Sequence, residues 1–136
     1  MTSQLEHAQA LLARARDDLY VVQRLMDDTA APTWALGFHA QQASEKAITA
    51  VLSHAGQVYP RTHNLDMLTE LLKAADIATP PCASELGRLT PFGVVLRYED
   101  ALDEEFPRVD AARLAHIALE VTSWAEHLIS DRKSTS

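Results

Sequence analysis

Residues 34–55 read WALGFHAQQASEKAITAVLSHA, and the spacing of their apolar side chains decides the fold. Wound as a helix at 100° per residue, Trp34, Phe38, Ile48 and Leu52 fall on one stripe, and Leu36, Ala40, Ala43, Ala47, Ala50 and Val51 cover most of the opposite flank. Only His39, Gln42, Lys46, Thr49 and Ser53 stay on a polar strip, so this helix is expected at the centre of a bundle, packed over more than half its circumference. Two residues break the pattern. Gln41 and Glu45, one turn apart, project between Phe38 and Ile48, where an uncompensated polar group costs roughly 2–7 kcal/mol and a lone carboxylate more. Both need partners.

On the N-terminal side, Ser3 and Glu6 form a capping box. Leu5, Ala8, Leu12, Ala15, Leu19, Val22 and Met26 then recur at spacings of three and four, which predicts an amphipathic helix. It should stop at Thr29-Ala30-Ala31-Pro32, since proline cannot continue a helix from within, and Thr33 can cap the next one. On the C-terminal side, Gly56 suits a left-handed terminator, and the loop 57–63 leads into a third helix with Leu65, Leu68, Leu72 and Ala75 on its apolar face. Thr79-Pro80-Pro81 ends that helix. Between Cys82 and Leu96 apolar residues alternate with Gly87, Pro91 and Gly93, which predicts one or two short helical pieces. Leu114, Ile117, Val121, Trp124 and Leu128 mark a last helix.

No strand alternation or internal repeat is visible. The expected architecture is all-α: an antiparallel bundle of four main helices plus short helical pieces, one domain from residue 3 to 130, with 131–136 as a frayed tail. At 136 residues and 47% hydrophobic composition the chain can build a core without a disulfide or a metal. A formal charge of −7 argues against a broad basic surface for nucleic acid or anionic membrane, leaving room only for a local basic site. No segment reaches the length of a membrane span, and the N-terminus lacks the pattern of a secretory signal. A single cysteine, Cys82, excludes an internal disulfide and fits a reducing compartment, so a cytoplasmic location and an inert thiol are expected. The acidic run Glu99 to Glu105 is read as a solvated loop.

Two groups of residues offer ligand chemistry. On the polar strip, Lys46 could meet a phosphate as a point charge, with His39 or Gln42 as donors; the competing reading pairs Lys46 with a carboxylate. In the loop, Arg61 and His63 just before a helix could form an anion site with the helix N-terminus, or His63 could cap that helix. No His or carboxylate spacing matches a metal site, and no metal or cofactor is expected. For Glu45 the expected partner is a guanidinium, Arg97 or Arg61, which would make Gln41, Glu45 and Arg97 a structural polar core.

Trp34, FHAQQASEKAITAVL at 38–52, YPRTHNLDML at 59–68 and Arg97-Tyr98-Glu99-Asp100, in this order, resemble the HEPN domain, a small helical module named for higher eukaryotes and prokaryotes nucleotide-binding. The likeness spans about Leu5 to Leu128. It implies a helical bundle, commonly a homodimer, often encoded beside a minimal nucleotidyltransferase in toxin-antitoxin-like pairs. Some members of the superfamily are metal-independent RNases whose arginine and histidine, about four to six residues apart, are pooled across a dimer. Cleavage by a 2′-hydroxyl needs an acid or base near neutrality and a fixed cation, which these residue types supply. Here the spacing departs from that pattern: seven residues separate Arg108 from His116, and two separate Arg113 from His116. Arg113 and His116 share one helix face with Glu120 and His127 and are the candidate catalytic pair. The expected function is therefore a dimeric interaction and nucleotide-binding module paired with a minimal nucleotidyltransferase, the alternative being an RNase toxin that uses Arg113 and His116 on RNA.

Overall fold

The computed structural model describes residues 3–93 and 110–134, the last four of these through their backbone only. Helix α1 spans Gln4–Met26, α2 Thr33–His54 and α3 Leu65–Ala74; a 3-10 turn covers Ala83–Arg88, α4 is the single turn Thr90–Gly93, and α5 spans Ala111–Ser134. Among the described residues there is no strand, and the fold is an all-α bundle. Helix α2 packs against α1, α3, α4 and α5, so the central position read from its wide apolar surface holds.

The helix ends follow local chemistry. Glu6 N–H donates to Ser3 Oγ at 3.0 Å, closing the capping box. Gly56 ends α2 at φ 74°, where a Cβ would stand 3.0 Å from Gln4 Nε2, so the start of α1 lies beside the end of α2. That closeness fixes the two helices as antiparallel neighbours. Asn64 caps α3 by accepting from Met67 N–H at 3.1 Å, and Asp110 caps α5 by accepting from Arg113 N–H at 2.8 Å. Two expectations need correcting here. Pro32, not Thr33, is the N-cap of α2, and no side chain caps it. His63 does not cap α3, because Asn64 takes that role. The backbone of α5 is helical to Ser134.

The core joins Leu12, Ala15 and Val22 of α1, Ile48 and Leu52 of α2, Leu65, Leu68 and Leu72 of α3, and Leu114, Ile117 and Val121 of α5. Each fully buried Leu or Ile contributes roughly 1.5–3 kcal/mol by transfer. Trp34 departs from its expected place in the apolar stripe and is 44% exposed. At that end of α2 the buried face is Leu36, Gly37 and Ala40, and Phe92 of α4 lies so close to Gly37 that a Cβ there would meet its ring at 2.4 Å.

Candidate functional site

The partners that Gln41 and Glu45 require come from the loop before α3. Gln41 is wholly buried, and its Nε2 donates to Glu45 Oε1 at 3.0 Å and to the backbone carbonyl of His63 at 3.1 Å. Its Oε1 accepts from Gln42 Nε2 at 2.7 Å, so the buried carboxamide is satisfied on both sides. His63 Nδ1 lies 2.8 Å from the same Glu45 Oε1. A carboxylate can only accept, so the ring proton belongs on Nδ1, and on a neutral ring Nε2 keeps its lone pair.

Of the two guanidinium partners expected for Glu45, Arg61 is not found on it, and Arg97 is not among the described residues. Glu45 is held by Gln41 and His63. Arg108 and the acidic run from Glu99 to Glu105 also lie outside the described residues. A short loop that returns its own histidine to α2 leaves the long side chain of Arg61 to extend outward, and Arg61 is exposed.

A second polar group crosses from α1 to α2. Asp18, 9% exposed, accepts from Lys46 Nζ at 2.6 Å through Oδ2, and its Oδ1 lies 2.9 Å from His39 Nδ1. The carboxylate reading of Lys46 therefore holds, and its partner is a residue that pattern reading passed over. A signal was present: Ala15, Asp18 and Val22 follow the three and four spacing of the buried stripe, which puts an acid on the core face of α1.

Between α2 and the loop 59–63 these groups border a cleft of about 440 Å³, lined by Leu11, Lys46, Tyr59, Pro60, Arg61 and His63 among others. Such a volume falls in the range of small-molecule sites. Leu11, Tyr59 and Pro60 give the cleft's lining apolar surface, and burial raises the pKa of the Tyr59 hydroxyl above the usual phenol value. Lys46, Arg61 and His63 share that lining, as does Glu45, which pairs with His63. Three of the five expected ligand residues, Lys46, Arg61 and His63, thus line one cleft, while His39 and Gln42 belong to the supporting hydrogen-bond groups. The start of α3 does not complete an anion site as the sequence suggested: Asn64 takes Met67 N–H, and Thr90 Oγ1 accepts from Leu65 N–H at 3.2 Å.

The candidate catalytic pair lies elsewhere, on α5. Arg113 holds Glu85 of the 3-10 turn through Nε at 2.8 Å and through Nη2, and His116 Nε2 is 2.7 Å from Glu120 Oε1. Each member of the pair is engaged by its own carboxylate. Beside them Cys82 is buried, and burial, followed by the Glu120 charge and its hydrogen bond, pushes the thiol up to about 12. A buried thiol held protonated fits the expected inert role. Among the described residues no group of His, Cys, Asp and Glu could hold a metal ion, and no helix is long and apolar enough to cross a membrane.

Comparison with curated proteins and with solved structures finds no match. A family model described as HEPN domain matches residues 8–128, a span that includes all of α2, the cleft loop and most of α1 and α5. By that match, over nearly its whole length, the chain belongs to the HEPN domain family.

Proposed function

We propose that the chain is a nucleotide-binding and interaction module, acting as a homodimer beside a minimal nucleotidyltransferase, and that its ligand site is the cleft between α2 and residues 59–63. The observation that carries this reading is that Lys46, Arg61 and His63 line one cleft of about 440 Å³ together with Tyr59 and Pro60, which gathers cationic and ring side chains in a single space. Phosphate oxygens would meet Arg61, whose planar fork suits them, and the His63 ring. A base would lie against Tyr59. Support for self-association is a shallow, largely apolar surface where Leu119, Trp124 and Leu128 of α5 meet Ala78 and Pro81.

Calorimetric titration with adenosine and guanosine nucleotides tests the ligand site. Binding that Arg61→Ala weakens at least tenfold is the expected result, and no binding of any nucleotide would remove the reading. Mass measurement in solution tests the dimer, and co-purification with a nucleotidyltransferase encoded next to the chain tests the pairing. The RNase alternative is less favoured, because on α5 Arg113 is paired with Glu85 and His116 with Glu120, each by its own carboxylate rather than both turned to one shared space.

A further inference from the structure

The charges around the cleft restrict which phosphate it can take. Lys46 is already answered by Asp18 at 2.6 Å, and a protonated His63 would be answered by Glu45 at 2.8 Å. Arg61 is the one cation of the cleft without a carboxylate partner among the described residues. Among the described residues, two carboxylates (Asp18 and Glu45) and two fixed cations (Lys46 and Arg61) leave the site neutral when His39 and His63 are neutral, and with a single positive charge when His63 alone is protonated. The rest of the molecule adds repulsion for anions, at a formal charge of −7.

A nucleoside triphosphate brings about four negative charges into this setting and would find one of them matched. It would also press its remaining oxygens toward Glu45, which lines the same cleft and pairs with His63. A phosphodiester between two nucleosides carries one negative charge and two bases. One charge suits Arg61, the imidazole Nε2 can meet a phosphoryl or ribose oxygen, and Tyr59 with Pro60 offers a surface for one base.

We infer that the cleft recognises a single internal phosphodiester of a nucleic-acid strand, with one base on Tyr59 and the phosphate on Arg61, and selects against polyphosphate nucleotides. This rests on the cleft being the nucleotide site proposed above. It also gives the arrangement a reason: Asp18 and Glu45, by cancelling Lys46 and His63, keep the site from becoming a general polyanion trap.

The experiment is a calorimetric titration of the full chain with a dinucleoside monophosphate, with AMP and with ATP, repeated across salt concentrations. The dinucleoside monophosphate is expected to bind at least tenfold more tightly than ATP. Its affinity should fall with salt along a shallow slope, as expected when a single ion pair is screened. Arg61→Gln, at an exposed position, is expected to keep the thermal transition of the wild type while losing binding and flattening that slope. Ribose and deoxyribose forms of the dinucleotide are run side by side; preference for either assigns RNA or DNA as the source and supports the phosphodiester reading. Tighter binding of ATP than of the dinucleoside monophosphate, or a salt dependence as steep for the dinucleoside monophosphate as for ATP, would overturn this inference while leaving the nucleotide site standing. Binding of none of the three ligands would overturn both.

Discussion

Gly93 of α4 rests on the carboxamide of Gln41: a Cβ built on Gly93 would come within 2.4 Å of Gln41 Cδ and 2.6 Å of its Oε1. The amide that aligns Glu45 and His63 is therefore held from behind by a position with no side chain. Gly93→Ala should displace Gln41 and disturb its bonds to Glu45, to the His63 carbonyl and from Gln42. Overpacking and lost buried hydrogen bonds together make a loss of about 1–3 kcal/mol the expected outcome in urea denaturation. Nucleotide affinity should drop with it, since the loop that carries Arg61 and His63 loses its anchor. Unchanged stability would show that α4 yields and Gln41 does not depend on it.

Glu45→Ala removes the acceptor shared by Gln41 Nε2 and His63 Nδ1. The Glu45 side chain is 18% exposed and its partners are an amide and an imidazole, so the cost is that of lost hydrogen bonds, about 1–3 kcal/mol, and less than that of breaking a fully buried ion pair. Glu45→Gln should recover part of the stability by keeping an acceptor. Chemical denaturation of the two variants side by side checks the ordering, and equal losses would contradict it.

Asp18→Asn weakens two contacts at once, to Lys46 and to His39, across the α1–α2 interface. The expected loss is again about 1–3 kcal/mol, because the lysine charge stays and its partner does not. Unlike Glu45→Ala, this variant should strengthen binding of polyanions, since Lys46 is freed beside the cleft. A titration with ATP reads that change, and weaker ATP binding would contradict the charge assignment.

Cys82 supplies the pH dependence. Burial pushes its thiol up to about 12 in the folded chain against 9.0 for a free thiol, so the folded state favours the protonated form. The stability tied to this group is fully present below about pH 9 and is lost as pH rises from there through about 12. Alkylation at pH 8 should be slow in the native protein and fast after denaturation, and Cys82→Ser should reduce the alkaline loss. Rapid native alkylation would contradict the burial.

His116→Ala on α5 should leave nucleotide binding unchanged and shift stability by no more than about 0.5 kcal/mol, as for an exposed ion pair within one helix. Incubation of purified wild type and variant with RNA is expected to show the same result for both. Cleavage by the wild type that the variant lacks would restore the α5 pair as catalytic.

The local rules of the chain were sufficient for its helices. Three and four spacing placed α1, α2, α3 and α5, Ser3 and Glu6 set the first boundary, and Gly56 set the end of α2. The reason is that helix formation and capping depend on neighbours within one or two turns, all of them visible in order. The same reading showed that Gln41 and Glu45 needed partners, and the motifs at 38–52 and 59–68 carried the family. Which partners they found was decided by packing across the fold. His63 took the Glu45 carboxylate that an arginine was expected to hold, Asp18 took Lys46 and His39 from across an interface, and Glu85 took Arg113 from 28 residues away. Such choices depend on reach, burial and competing donors in three dimensions, and these distances exist only once α1, α2 and the loop before α3 have been brought together.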